Sequence, residues 1–374
     1  MDTRSIRGTE AQGATFVELF FDLVFVYAVT QVTGVLAHDL TRLGVVKALA
    51  VFWLVWWAWT QFTWSLNQAD TEHASVRLIT LLATGIAFVM ALTVPIIEEA
   101  SGWLFPIAYV VVRAMGIGLQ RKLAVGDESW SGAVRTWAIT SSLGLLAVIA
   151  AVFVAPEYRF IALGVAALFD INAALRAGAG EWRLFVSHFS ERHGLFVIIV
   201  LGESLIAAGL GASGQELTPG VVGVVVIAVA ATGGLWWTYF GWAKDAIEVR
   251  FAAVTSDVGR FARDVFSFAH FPIIAGVIGF AVATEEAIAH ASDPLSAGVL
   301  MALVGGVTLF VGGTYLALWR AGTEPPVVRP IVIGALIVAS PLLASVAAWQ
   351  ALLVVAILVI GLALLEQRSV VAAA

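Results

Sequence analysis

Residues 16–36 read FVELFFDLVFVYAVTQVTGVL, twenty-one positions in which Glu18 and Asp22 are the only charges. At 1.5 Å per residue a helix of this length covers about 30 Å, the thickness of a bilayer's hydrocarbon core. The run carries two acids, outlasts the apolar core of a secretory leader and lacks a cleavage site, so it reads as a membrane span. Working outward, eleven further apolar runs follow, at 43–66, 76–97, 102–120, 133–154, 158–176, 194–213, 219–242, 264–284, 295–318, 331–347 and 349–366. The last two nearly touch at residues 347–349. The expected fold is therefore all-α, a polytopic bundle of about 12 transmembrane helices. One transmembrane domain is expected over 1–374, with no soluble domain, since the longest connection, 245–263, is too short for one.

Composition points the same way. Of 374 residues, 60% are hydrophobic and 12% charged, and mean hydropathy is +0.96. A soluble chain carries about 25% charged residues; half of that cannot coat a water-facing surface. A soluble enzyme, a nucleic-acid binder and a disordered chain are excluded. The net charge of −6 offers no basic face to a phosphate backbone, and the absence of cysteine removes disulfides and thiolate chemistry.

Positive charge sets the orientation. Sixteen of the 20 Lys and Arg residues fall on the N-terminal side of the alternating spans, three (Arg42, Lys47, Arg159) fall opposite, and Arg113 lies within a span. Both termini are expected to be cytoplasmic. Two halves, 1–181 and 182–374, also resemble each other. Phe20-Phe21-Asp22-Leu23 in the first span corresponds to Leu201-Gly202-Glu203-Ser204 in the seventh, and Trp56-Trp57 in the second to Trp236-Trp237 in the eighth. Asp22 precedes Trp56 by 34 positions and Glu203 precedes Trp236 by 33. Six spans per half would make these parallel repeats; chance recurrence of Trp and Gly in an apolar chain is the competing reading.

An ionisable group in hydrocarbon costs at least about 2.5–3.5 kcal/mol, which singles out Glu18, Asp22, Arg113, Asp170 and Glu203. Glu18 and Asp22, four residues apart, share a helix face. Arg113 lies at or just inside the midplane and is the partner for Asp22 by depth. Asp170 falls in the cytoplasmic half of its span, and Glu203 near the middle of the seventh. One reading makes Asp22–Arg113 a buried pair serving assembly, with Glu18 reaching the interface. The other makes the acids line a cavity open to the cytoplasm, where Asp22, Glu203 and Glu18 couple a proton or cation and Arg113 is the counter-charge.

Further cavity or gate candidates surround these. Glu191, Arg192 and His193 precede the seventh span and read as an interfacial cap, with Arg192 among headgroups and His193 a titratable gate. His188 and His193 are five apart and do not share a helix face, so no metal is assigned. Asp245, Asp257, Arg260, Arg263 and Asp264 read as a solvated cytoplasmic face, and His270 as a satisfied core histidine. Asn67 and Asp70 end the second span toward the cavity expected at Glu18. Trp56 and Trp57 belong to a Trp-rich second span, where Trp53, Trp57 and Trp64 form one stripe. That stripe is ordinary packing or the wall of a pocket for an apolar or cationic ligand. Trp236 and Trp237 are their counterparts. No nucleophile-and-base set, phosphate loop or nucleotide fingerprint occurs; no catalytic residue or cofactor is assigned.

Val17-Glu18-Leu19-Phe20-Phe21-Asp22-Leu23-Val24-Phe25-Val26 resembles the opening motif of the bacterial low temperature requirement protein A (LtrA) family. Glu191-Arg192-His193-Gly194-Leu195-Phe196, running into Leu201-Gly202-Glu203-Ser204, is similar to its second hallmark. The Trp56-Trp57 run with Asn67, Gln68 and Asp70 fits as well. The resemblance spans essentially the whole chain. It implies a multi-pass protein of the bacterial cytoplasmic membrane linked to growth in the cold, and it supplies neither a substrate nor catalytic residues.

Three functions are weighed. A proton- or cation-coupled transporter of a small solute leads, on twelve spans, apparent duplication and excess buried acid. A non-transport factor for lipid or envelope homeostasis in the cold is the alternative. An intramembrane lipid-modifying enzyme comes last for want of a nucleophile or metal set. The expected partners are membrane lipids, the solute and its coupling ion, with no nucleic acid; the oligomeric state is left open.

Overall fold

A computed structural model describes residues 6–8, 13–177 and 181–373. Six long helices come first: α1 (Phe16–His38), α2 (Arg42–Leu66), α3 (Ala74–Leu92), α4 (Leu104–Ala124), α5 (Glu128–Phe153) and α6 (Arg159–Ala177). Then follow α7 (Val186–Ala212), α8 (Pro219–Phe240), the shorter α9 (Ala243–Ala252), and α10 (Val258–Phe261), which runs into a π-helical stretch at Ala262–Phe268. The chain continues through α11 (His270–Ala289), α12 (Ala297–Arg320), α13 (Val328–Leu343) and α14 (Ala348–Ala373).

Local chemistry explains the boundaries. Asp127 caps α5 by accepting the Trp130 N–H, Thr218 accepts from Val221 ahead of Pro219 in α8, and Ser296 accepts from Val299 in α12. Among the described residues, eleven helical segments are long and apolar enough to cross a membrane. The expected fold of about twelve spans is met to within one. The run at 331–347 folds as α13, whose 16 residues make only about 24 Å of helix. Pro341 lies inside it, and its last helical bond runs from the Ala344 N–H to the Ser340 carbonyl.

The chain forms two compact units. The first comprises residues up to Val35, Val46–Phe196 and Phe251–Ser267. Within it α3, α4, α5 and α6 pack each against the next. Leu78, Leu81 and Leu82 of α3 and Ile139, Leu143 and Leu146 of α5 stay exposed, an apolar surface suited to lipid. The second unit comprises Leu36–Val45, Val197–Arg250 and Phe268–Ala374. Its α11 is buried along nearly its whole length and packs on α8, α12 and α14, which is why it is apolar on every side. At Gly276 a Cβ would sit 2.5 Å from the Gly306 carbonyl oxygen, so α11 and α12 meet backbone to backbone.

Candidate functional site

The site begins with the way α1 starts. Thr15 and Glu18 form a capping box: the Thr15 N–H and hydroxyl donate to Glu18 Oε2 at 3.0 and 2.9 Å. One turn on, Asp22 points the same way, and both acids are fully buried. The opposing face belongs to α7. It starts at Val186 rather than near 194, so His188 and Arg192 lie within the helix, one turn apart. His188 Nε2 lies 3.2 Å from the Glu18 carboxylate. Arg192 donates to both acids, reaching Asp22 Oδ1 at 2.7 Å. Glu18–His188 and Asp22–Arg192 each span 170 positions, so the two helices run parallel in register here.

The surroundings fix this ladder. Trp59 Nε1 donates to Asp22 Oδ1 at 2.7 Å. Asn67 donates to the Phe185 carbonyl, accepts the Phe185 N–H, and lies 3.3 Å from His188 Nδ1, clamping the start of α7. The His193 ring sits against Trp59, Phe189 and Phe266 at 4.6–5.0 Å, with Nδ1 2.9 Å from the Phe189 carbonyl. Asp22 Oδ2 is buried and has no hydrogen-bond partner among the described residues. Two carboxylates thus face one guanidinium. A proton, on His188 or on a carboxyl group, brings the cluster to neutrality.

A second ion pair lies in the same unit. Arg113 donates to the two Asp170 oxygens at 3.0 and 2.9 Å, and Tyr109 Oη donates to Asp170 at 3.0 Å. Trp57 also hydrogen-bonds Asp170, and Gln61 Nε2 donates to the Arg113 carbonyl at 2.9 Å. The partner expected for Arg113 was Asp22; the structure gives it Asp170. Depth along the span had suggested Asp22, but depth does not fix which way each helix faces.

Other expectations shift too. Arg192 is fully buried against Glu18 and Asp22 instead of lying among headgroups. Arg263 and Asp264 are paired at 2.6 Å and mostly buried; Arg263 also donates to the Ala174 and Leu175 carbonyls at the end of α6, so neither belongs to a solvated face. Glu191 is exposed and accepts the Ala14 N–H. Asp70 accepts the Glu72 N–H in the turn before α3, away from the acids. Trp56 donates to the Ser267 carbonyl and stacks on Trp59. In the second unit Glu203 and Ser204 are buried, Trp236 and Trp237 are 40% and 44% exposed on α8, and His270 bonds the Tyr239 hydroxyl at 2.7 Å. That unit has an ion pair of its own, Arg329–Glu366.

Sequence reasoning missed the pairing of His188 and Arg192 with the acids. The signal was present: an i, i+4 pair of bases in residues 186–194, a stretch with no internal helix breaker, matches the i, i+4 pair of acids in α1. The first unit also holds a small cavity of about 50 Å³ lined by Trp57, Trp64, Trp137 and Trp182.

No solved structure matches the chain. The Uncharacterized protein RA0937 of Rhizobium meliloti (strain 1021) is 29% identical over 329 residues, covering 82% of this chain and 77% of that protein. Residues 13–364 match the family model described as Bacterial low temperature requirement A protein (LtrA), and on that match the chain belongs to the LtrA family.

Proposed function

We propose that this multi-pass protein is a proton-coupled secondary transporter of a small solute in the bacterial cytoplasmic membrane. The observation that carries the reading is Asp22: a buried carboxyl group that shares its only guanidinium with Glu18 and keeps one oxygen unpartnered among the described residues. Glu18 has a second task, closing the first turn of α1; Asp22 has none, which leaves it to take up and give back a proton. Glu203, buried in the second unit, is the second coupling carboxylate in this reading. The full burial of Glu18, Asp22 and Arg192 favours one alternative, in which the cluster only ties α1 to α7 in a non-transport factor for membrane homeostasis in the cold.

Proteoliposomes separate the two. Under a pH gradient, isotope-labelled small metabolites should accumulate only while the gradient lasts. Asp22→Asn should abolish accumulation while melting close to the unaltered protein, since the amide still accepts from Trp59 and Arg192. Gradient-driven uptake that survives Asp22→Asn overturns the coupling role of Asp22, and no uptake by the intact protein rejects the transporter reading.

A further inference from the structure

We infer that the groove between α4 and α5 is a binding site for one anionic phospholipid, with the phosphate between Arg121 and Arg135 and an acyl chain lying farther along the helices. This inference does not depend on proton coupling.

A helix hairpin makes the groove. α4 ends at Ala124 and α5 begins at Glu128, so three residues reverse the chain and the two helices pack against each other. Ile117, Arg121 and Ala124 line the groove from α4, and Val134, Arg135, Ala138 and Ile139 line it from α5, each set at the spacing of one helix face. They flank an open space of about 440 Å³. At 1.5 Å per residue, Arg121 and Arg135 lie roughly 6 and 12 Å from the turn, and Ile139 roughly 18 Å. Charge thus sits toward the turn and apolar surface farther along, the order of a lipid's headgroup and chain. Ile139 is exposed, and Leu143 and Leu146, one and two turns on, carry the same apolar surface beyond the groove.

Charge selects the headgroup. Among the described residues no acid lines the groove, and neither Arg121 nor Arg135 has a hydrogen bond or ion pair. The carbonyls that a guanidinium would otherwise cap at the end of α4 are taken. Arg7 donates to those of Leu123 and Val125, and the Ser131 hydroxyl donates to that of Ala124 at 2.6 Å. Asp127, in the turn, accepts the Trp130 N–H and pairs with Arg183. Two guanidiniums therefore stand unbalanced beside an apolar wall. Each presents paired N–H donors that suit phosphate oxygens. A headgroup of net negative charge balances them, whereas a zwitterionic one brings a cation of its own. A free phosphate would leave the apolar part of the groove uncovered, and continuity with the lipid-facing surface of α5 favours an occupant with a chain.

The test titrates the delipidated full chain in detergent and counts bound molecules by native mass spectrometry. The probes are dioleoylphosphatidylglycerol, dioleoylphosphatidylcholine with the same chains, and glycerol 3-phosphate as the headgroup alone. One phosphatidylglycerol should bind per chain, about thirtyfold more tightly than phosphatidylcholine, or about fivefold for each guanidinium. Glycerol 3-phosphate should not saturate over the same range. Arg121→Gln and Arg135→Gln should each cut the preference about fivefold, and the double variant should remove it. Both arginines are exposed, so the lipid-free melting temperature should hold; should one variant fail to fold, the other carries the test. Lys122→Gln, beside Arg121 but outside the groove, should keep the preference. Equal affinity for the two lipids, glycerol 3-phosphate binding as tightly as phosphatidylglycerol, or a loss in Lys122→Gln as large as in Arg121→Gln overturns the assignment.

Discussion

The Arg113–Asp170 pair and the Glu18–Asp22–Arg192 cluster occupy one unit and are buried to the same degree, yet they are built to different arithmetic. At Arg113 one guanidinium meets one carboxylate through two parallel hydrogen bonds, with Tyr109 completing the acceptor side. At Arg192 one guanidinium is divided between two acids, and an oxygen of Asp22 is left over. A matched pair has nothing to exchange, because removing either charge strands the other. An unmatched cluster reaches neutrality only with a proton, and that proton is the one exchanged in the proposed function. Arg329–Glu366 in the second unit repeats the matched design: two hydrogen bonds join the pair, and Arg329 also donates to the Thr238 carbonyl. Arg113 and Arg329 are each balanced by one acid, whereas Glu18 and Asp22 share Arg192 and are balanced only when His188 or a carboxyl group carries a proton.

Breaking each site tests the contrast. The largest loss should come from Arg192→Met, which strands Glu18 and Asp22 together. A destabilisation of about 3–5 kcal/mol or more, read as a large drop in melting temperature or loss of folded protein, is expected, and adding Asp22→Asn should recover part of it. Arg113→Met should come next, at about 3–5 kcal/mol. There the double variant Arg113→Met/Asp170→Leu should return close to the starting stability, since a matched pair can be exchanged for apolar packing. If that double variant melts no higher than Arg113→Met, the pair does more than neutralise itself.

The smallest effect lies at the helix start outside the spans. The Trp130 N–H donated to Asp127, aided by Arg183, holds the Asp127 carboxyl below its ordinary value. The folded state therefore favours the ionised form. Its stabilisation is complete above the ordinary aspartate value of about 3.9 and fades as pH falls through the lowered one. The melting difference between the unaltered protein and Asp127→Ala should shrink on acidification; a difference that stays constant from neutral to strongly acid pH would contradict this cap.

Much of the architecture could be read from the chain because hydrophobic length is a one-dimensional property. Residues 16–36 already specify a span, and the Pro-containing stretches at 293–294 and 324–326 fall between helices. The site was harder for two reasons. Hydropathy penalises every charge alike, so Glu191, Arg192 and His193 read as an interfacial cap ahead of the span, although pairing offsets the cost of Arg192 inside the bundle. Depth is also only one coordinate of three: a depth argument pointed Arg113 to Asp22, whereas the packing of α4 on its neighbours gives it Asp170. The shortness of α13 has another origin, since composition does not register where a helix comes to its end.

The register between α1 and α7 also bears on how the protein is made. Glu18 and Asp22 leave the ribosome 170 positions ahead of His188 and Arg192 respectively. At translation speeds of 5–20 residues per second this is a delay of roughly ten to thirty seconds. Throughout that interval the nascent helix holds two acids whose base does not yet exist. They must cross that gap protonated, or wait in the wet flank of the insertion machinery until α7 arrives, so α1 cannot take its final seat before the middle of the chain has been synthesised.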